Sequence, residues 1–241
     1  MHTSSEEQES LKLLSDIVAE VTHALGSLGG KEHSGLFDTY RFYSSKHVHR
    51  AADGFVFLRT SGRVDASKLL VRPVIEIMFR LQAVRKHPEL LYRIAYSEHL
   101  QDERFLRSAA KSSSMPYSES QIKKRWQEFT AKFKKEFPTL KTVEKELKIV
   151  QIAEKAGLTA VYDSHYRIYC QYTHGALRAS AGYLDDATDP HDNRTMALCA
   201  FAALDTLVSL VADSPNYDSL FQRLAQQGTE ATSVSVAKSL S

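Results

Sequence analysis

Leu69–Leu81 reads LLVRPVIEIMFRL, and its apolar residues run nearly all the way round a helical projection. A helix of this kind has little solvent face and belongs inside a bundle. Three charges interrupt it at steps of four, Arg72, Glu76 and Arg80. A carboxylate in such a place is costly unless a cation or hydrogen-bond donor meets it, and the two arginines are the nearest candidates. Pro73 either kinks this helix or stands in its first turn, with Asp65 as the N-cap.

The text on either side is also helical. Leu11, Leu14, Ile17, Val18, Val21 and Leu25 form one stripe of a helix over Ser5–Leu28, and a second helix runs from Leu36 to Thr60. After Pro88 a fourth helix reaches Ala110. Ser118 and Gln121 form a capping box for a fifth that ends before Pro138. Helices are expected from Thr142 to Gly157, from Thr159 to Tyr183 and from Arg194 to Ala212, followed by a short amphipathic one. Only 10 of the 241 residues are glycine and 6 are proline. Strand alternation with hairpin turns is absent from the pattern. The expected fold is an all-α, multi-helix bundle forming one domain over 1–228, with a frayed tail over 229–241.

Composition narrows the function classes. A net charge of +2 gives no global field toward nucleic acid or membrane. The longest apolar run, Met196–Leu204, falls short of the roughly 18 residues of a membrane span. The N-terminus lacks a basic region followed by an apolar one, so no secretory leader is expected. Cys170 and Cys199 read as buried thiols of a reducing, cytoplasmic compartment. His47 and His49, two apart on a helix, point away from each other and cannot share an ion. No zinc spacing, phosphate loop or dinucleotide fingerprint appears, so neither metal nor cofactor is expected.

Charge is uneven along the chain. The segment 104–148 holds 12 Lys or Arg against 5 Glu, with Trp126, Phe129, Phe133 and Phe137 three or four apart. It reads either as an amphipathic helix with a solvated basic face or as a face for nucleic-acid phosphates.

The segment YRIYCQYTH, Tyr166–His174, is richer in polar and aromatic groups than a core helix requires. Arg167 and His174 are seven residues apart, about two turns and roughly 10 Å along one face. Asp163, Gln171 and Arg178 extend that stripe, and Asp163 precedes Arg167 at ion-pairing distance along the helix. Glu76 is expected to face Arg167 or His174 from across the bundle. Four Arg–His pairs in the chain have this kind of spacing, the others being Arg41 with His47, Arg80 with His87 and Arg93 with His99. The polar, tyrosine-rich surroundings single out Arg167 and His174.

These residues resemble two families. The Arg72–Glu76 helix, followed by the Tyr162–His174 helix, is similar to an uncharacterised bacterial all-helical family of unknown function, across most of 36–212. The Arg-x6-His spacing more distantly resembles the HEPN (higher eukaryotes and prokaryotes nucleotide-binding) superfamily, although Ile168 follows the arginine where many members carry a polar residue. The HEPN resemblance implies a metal-independent ribonuclease, a toxin or defence protein, whose two protomers pair around the motif. Arg167 and His174 are then catalytic. Glu76, Arg72 and Gln171 support them, and Tyr166 or Tyr169 stacks on a base. RNA and an antitoxin or other partner protein are the implied ligands, with no role for a membrane. The other reading is a non-catalytic helical protein whose Arg, Glu and His residues are structural, or bind an anion or partner.

Overall fold

The computed structural model describes residues 4–29, 35–111, 118–136, 147–173, 190–210 and 214–227. All regular structure among them is helical. In order, the helices are α1 Ser5–Leu28, α2 Gly35–Thr60, α3 Val64–Lys86, α4 Leu90–Lys111, α5 Glu119–Glu136 and α6 Ile149–Ala156. They continue with α7 Thr159–Val161, a π-helical turn Tyr162–Tyr166, α8 Arg167–Thr173, α9 Pro190–Val208 and α10 Tyr217–Gln226. No helix among the described residues is long and apolar enough to cross a membrane.

The chain divides into two compact units. Met1–Pro88 and Ile149–Ser241 form one, and Glu89–Lys148 the other. In the first, α9 is the centre: from Thr195 to Leu207 every residue is buried. α1, α2 and α3 surround it, α6 and α8 lie on α3, and α10 closes the end against α1 and α9. Alanines at 197, 200, 202 and 203 keep the surface of α9 low, which allows its neighbours to approach. Each large side chain enclosed around it, such as Leu14, Ile75, Phe79 or Phe201, contributes about 1.5–3 kcal/mol of burial.

The LLVRPVIEIMFRL helix therefore occupies a different place from the one its composition suggests. α3 buries Val71, Val74, Ile75, Met78 and Phe79, but Leu69 is 49% exposed and the Arg72–Glu76–Arg80 edge is open to solvent. The helix without a solvent face is α9. Arg63, not Asp65, is the N-cap of α3, and Pro73 lies well inside it, past the first turn. α9 starts four residues before Arg194, at Pro190, where a missing N–H costs nothing. The expected start at Thr142, the ends at Tyr183 and Ala212, and the 229–241 tail lie outside the described residues.

The second unit is the pair α4 and α5. Ser118 caps α5 as its sequence indicates. The Ser118 hydroxyl accepts from the Gln121 amide at 3.4 Å, and the Gln121 side chain accepts from the Ser118 amide at 2.8 Å. Tyr96 of α4 meets Trp126 of α5 with ring centroids 5.8 Å apart.

α6 ends in a Schellman motif. The Gly157 amide donates to Glu154 at 3.0 Å, and the Leu158 amide reaches back to Ala153 at 2.9 Å. Gly157 has φ +72, and Lys86 Nζ donates to the Ala156 carbonyl at 2.6 Å beside it. A β-carbon at 157 would stand 2.8 Å from that ammonium. Gly157→Ala is expected to cost about 1–2 kcal/mol, chiefly from the left-handed backbone. Thermal unfolding should show a Tm lower by a few degrees, with Gly157→Asn losing less. An unchanged Tm for the alanine variant would contradict this.

Candidate functional site

The segment Thr159–Thr173 crosses α3 antiparallel, and a line of side chains joins the two. Tyr162 meets Phe79 with centroids 6.3 Å apart. One turn on, the Tyr166 hydroxyl donates to Glu76 Oε1 at 2.8 Å, and the Arg72 guanidinium lies 5.7 Å from the centre of the Tyr166 ring. Further on, Lys68 Nζ lies 5.4 Å from the centre of the Tyr172 ring. The π-helical turn makes this match possible. The Arg167 amide donates to the Tyr162 carbonyl, five residues back, which widens the turn. Tyr162 and Tyr166 then stack, with centroids 5.1 Å apart and planes 23° apart.

Glu76 is the hub of the site. Besides Tyr166 it accepts from Arg72 Nε at 3.2 Å, and Arg80 Nη2 is 3.8 Å from its other oxygen. The three charged side chains are each about a quarter exposed, so water reaches them. Burial, reinforced by the Glu76 carboxylate, pushes the Tyr166 phenol above its ordinary range, so it stays protonated and acts as a donor. Arg72 and Arg80 thus flank one carboxylate on an edge bordered by tyrosines, and Lys68, further along α3, is buried.

The sequence-derived residues divide into two groups. Arg72, Glu76 and Tyr166 come together as described. Arg167 lies on the opposite, exposed side of its helix, 68% exposed and 3.4 Å from Asp163, and Gln171 is exposed as well. The carboxylate facing Arg167 is thus Asp163 of its own helix, while Glu76 is engaged by Tyr166 and the α3 arginines. Tyr166 and Tyr169 are 5% and 1% exposed, so neither offers a ring face for a base to stack on. His174 and Arg178 lie outside the described residues. Of the cysteines, Cys199 is buried and Cys170 half-buried.

Three polar clusters carried no sequence signal. Arg59 of α2 pairs with Asp192 in the first turn of α9, with side chains 1% and 6% exposed, and the Tyr169 hydroxyl donates to the same carboxylate at 2.5 Å. His165, in the π turn, makes a 2.8 Å hydrogen bond to Thr195 of α9, and its ring centroid is 4.4 Å from that of His191. Between α1 and α10 is a groove of about 490 Å³ that includes Asp16, Glu20, His23, Asn216 and Arg223. In it, Ser214 and Asn216 donate to Glu20 at 3.0 and 2.8 Å, and Arg223 is 2.8 Å from Asp16. These pairings join residues 23 to more than 200 positions apart, and no local pattern encodes them.

The two carboxylate hubs differ in what their loss should do. Asp192→Ala would leave the Arg59 guanidinium enclosed without a counter-charge, a loss of about 3–5 kcal/mol. Glu76→Ala would leave groups that water can reach, a loss of about 1–2 kcal/mol. Urea unfolding of both variants should rank them in that order, and the reverse order would contradict the assignment. The histidine pair has a pH signature. Burial, followed by the charge of His191, pulls the His165 imidazole down to about 4. The unfolded chain takes up that proton near pH 6.5, so the stabilisation is complete above that value and is lost as pH falls toward 4. The Tm of the wild type should drop more steeply across this window than that of His165→Asn. Parallel pH profiles would count against the assignment.

No curated protein and no solved structure matches the chain. A family described as being of unknown function, DUF5677, matches residues 43–192. That span begins within α2, takes in Arg59, the Arg72–Glu76–Arg80 ladder and the tyrosine-bearing π turn, and ends at Asp192, so both carboxylate hubs fall inside it. With more than half of its length matched, the chain belongs to the DUF5677 family.

Proposed function

We propose that this protein binds RNA along the α3–α8 face and cleaves it without a metal ion, with Arg167 and His174 as the reacting pair on a HEPN-like bundle. The observation that carries the reading is the solvent-reachable pair Arg72 and Arg80 around Glu76, on the helix that packs against the one bearing Arg167. Guanidinium groups on a face water can enter suit a phosphodiester backbone. Arg167 supports the reading further, because Asp163, its counter-ion among the described residues, is exposed and a phosphate can displace it.

RNA supplies its own nucleophile. The ribose 2′-hydroxyl gives its proton to the His174 imidazole as its oxygen bonds to phosphorus. The bond from phosphorus to the 5′-oxygen breaks, that oxygen takes a proton from water, and the imidazolium returns its own proton to the solvent. The products are a 2′,3′-cyclic phosphate and a 5′-hydroxyl end. Arg167 balances the extra negative charge on the non-bridging oxygens during the transfer. Glu76 serves at one remove: by holding Tyr166, Arg72 and Arg80 it fixes the cationic edge of α3 that meets the RNA backbone.

A second reading is favoured by the hydrogen bonding of Glu76. Tyr166 and the arginines of its own helix already engage this carboxylate, as in a structural hub, and the face then binds an anion or a partner without cutting anything. One experiment separates the two. Purified wild type, His174→Ala and Arg167→Ala are incubated with mixed RNA in EDTA, and fragments are resolved with end-group analysis. Cleavage that leaves cyclic-phosphate ends and falls by about 10²–10⁴-fold in His174→Ala is the expected result. Intact RNA with the wild type, or equal cutting by all three proteins, would overturn the catalytic assignment.

A further inference from the structure

The groove of about 490 Å³ between α1 and α10 is in the size range of small-molecule sites, and neither helix lies within the family span 43–192. Glu20 lines it and is 6% exposed. No cation meets this carboxylate among the described residues. Its partners are the Ser214 hydroxyl on one oxygen, at 3.0 Å, and the Asn216 side-chain amide on the other, at 2.8 Å, and both are neutral. Arg223, the guanidinium of the groove, is 2.8 Å from Asp16 instead. The first turn of α10 offsets about half a charge. A carboxylate enclosed to this degree is costly without a full counter-charge. Each of its oxygens has a second acceptor position, and no described residue occupies either.

We infer that the α1–α10 groove binds a short aliphatic diamine, with Glu20 as the counter-ion of one ammonium. The inference is independent of the RNA reading. An ammonium carries three donors and no acceptor, so it supplies both the missing charge and bonds to the open positions of Glu20. Asp16 stands one turn back on α1, roughly 6 Å along the axis, which is the reach of a short diamine. Its pair with Arg223 is open to water, the side chains being 41% and 37% exposed, so a second ammonium can share Asp16 at low cost. Ala19, Pro215 and Leu220 also line the groove and offer apolar surface to the methylenes between the two charges. Other occupants suit the groove less well. A bound metal dication asks for several ligating side chains together, and no group of three or more His, Cys, Asp or Glu occurs among the described residues. A small anion would meet two carboxylates, and a single monovalent ion would leave most of the volume unfilled.

The test is isothermal titration calorimetry of the full chain with putrescine, at constant ionic strength. Saturable binding of one putrescine per chain is expected, with weaker binding of n-butylamine and none of butanediol. Glu20→Gln should weaken putrescine about tenfold or more, the loss of a charge-assisted hydrogen bond. The Asn216 side chain can turn its oxygen to the new amide, and far-UV circular dichroism checks that helix content is kept. Ser219→Trp fills the groove from an exposed position without altering a charge, and should abolish binding. Asp16→Asn should reduce putrescine to the affinity of n-butylamine. If Glu20→Gln loses helix content, Ser219→Trp decides alone. A purely structural Glu20, holding only the start of α10, predicts a lower Tm for Glu20→Gln and no saturable heat from putrescine with the wild type; that result would overturn the site. Wild-type affinity in Ser219→Trp or in a folded Glu20→Gln would overturn it too, and butanediol binding as tightly as putrescine would overturn the role of charge.

Discussion

A helix buried without a break from Thr195 to Leu207, as α9 is, must draw partners for its polar side chains from its neighbours. Its Asp192 takes Arg59 from α2 and Tyr169 from α8. Its Asn193 donates to Ser10 of α1 at 3.1 Å. Its Thr195 meets His165 of the π turn, and its Asp205 takes Arg85 from α3 and Tyr217 from α10. Arg41 of α2 donates to the carbonyl of Thr206 at 2.8 Å. Each surrounding helix is thus tied to α9 by at least one polar bond at a defined height. Apolar burial supplies most of the stabilisation but tolerates sliding; these bonds select one register. An isolated carboxylate in that setting would be severely unfavourable, so the bundle closes only when the partners arrive together.

The candidate site inherits its geometry from this arrangement. Tyr169 is held by Asp192 on one side of α8, and Tyr166, three residues earlier, is held by Glu76 of α3 on another. Two phenols therefore clamp one short helix between a buried hub and a solvent-reachable one. The buried hub is rigid because its members have nowhere else to turn. The open hub is adaptable because water, or a ligand's anionic group, can replace any of its hydrogen bonds at low cost. That difference in exposure, rather than residue type, is why α3 rather than α9 carries a charged edge that solvent can reach.

Local pattern made much of this architecture legible. The helices at Ser5–Leu28 and around Gly157 follow from periodicity and capping chemistry, which act within a few residues. The Arg72–Glu76 pairing follows from a spacing of four on one helix, and so does Asp163 with Arg167. What sequence could not rank was burial. LLVRPVIEIMFRL and MALCAFAAL both read as apolar, yet one has an open edge and the other has none, because enclosure depends on how many neighbours pack around a helix. Nor could it foresee which carboxylate Tyr169 would choose, since Asp192 reaches it through the fold. The tyrosines looked like ring platforms and serve instead as hydroxyl donors; their environment decided the role.

The π turn shows how far one backbone detail reaches. A regular helix through Tyr162–Tyr166 would rotate every later side chain relative to α3 by the equivalent of one residue. Tyr166 would then leave Glu76, or Tyr169 would leave Asp192, because both anchors are fixed by other helices. The wider turn absorbs the mismatch: it aligns Tyr162 over Tyr166 and starts α8 in the one phase that satisfies both hubs. In that phase Asp163, Arg167 and Gln171 are all exposed, on the side of the helix away from the clamps. The exposed polar stripe is therefore a consequence of the clamping and needs no separate cause. The less regular hydrogen bonding of the π turn is offset by two buried or half-buried phenol contacts. A backbone irregularity retained in this way, beside a solvent-reachable charged cluster, serves to aim side chains.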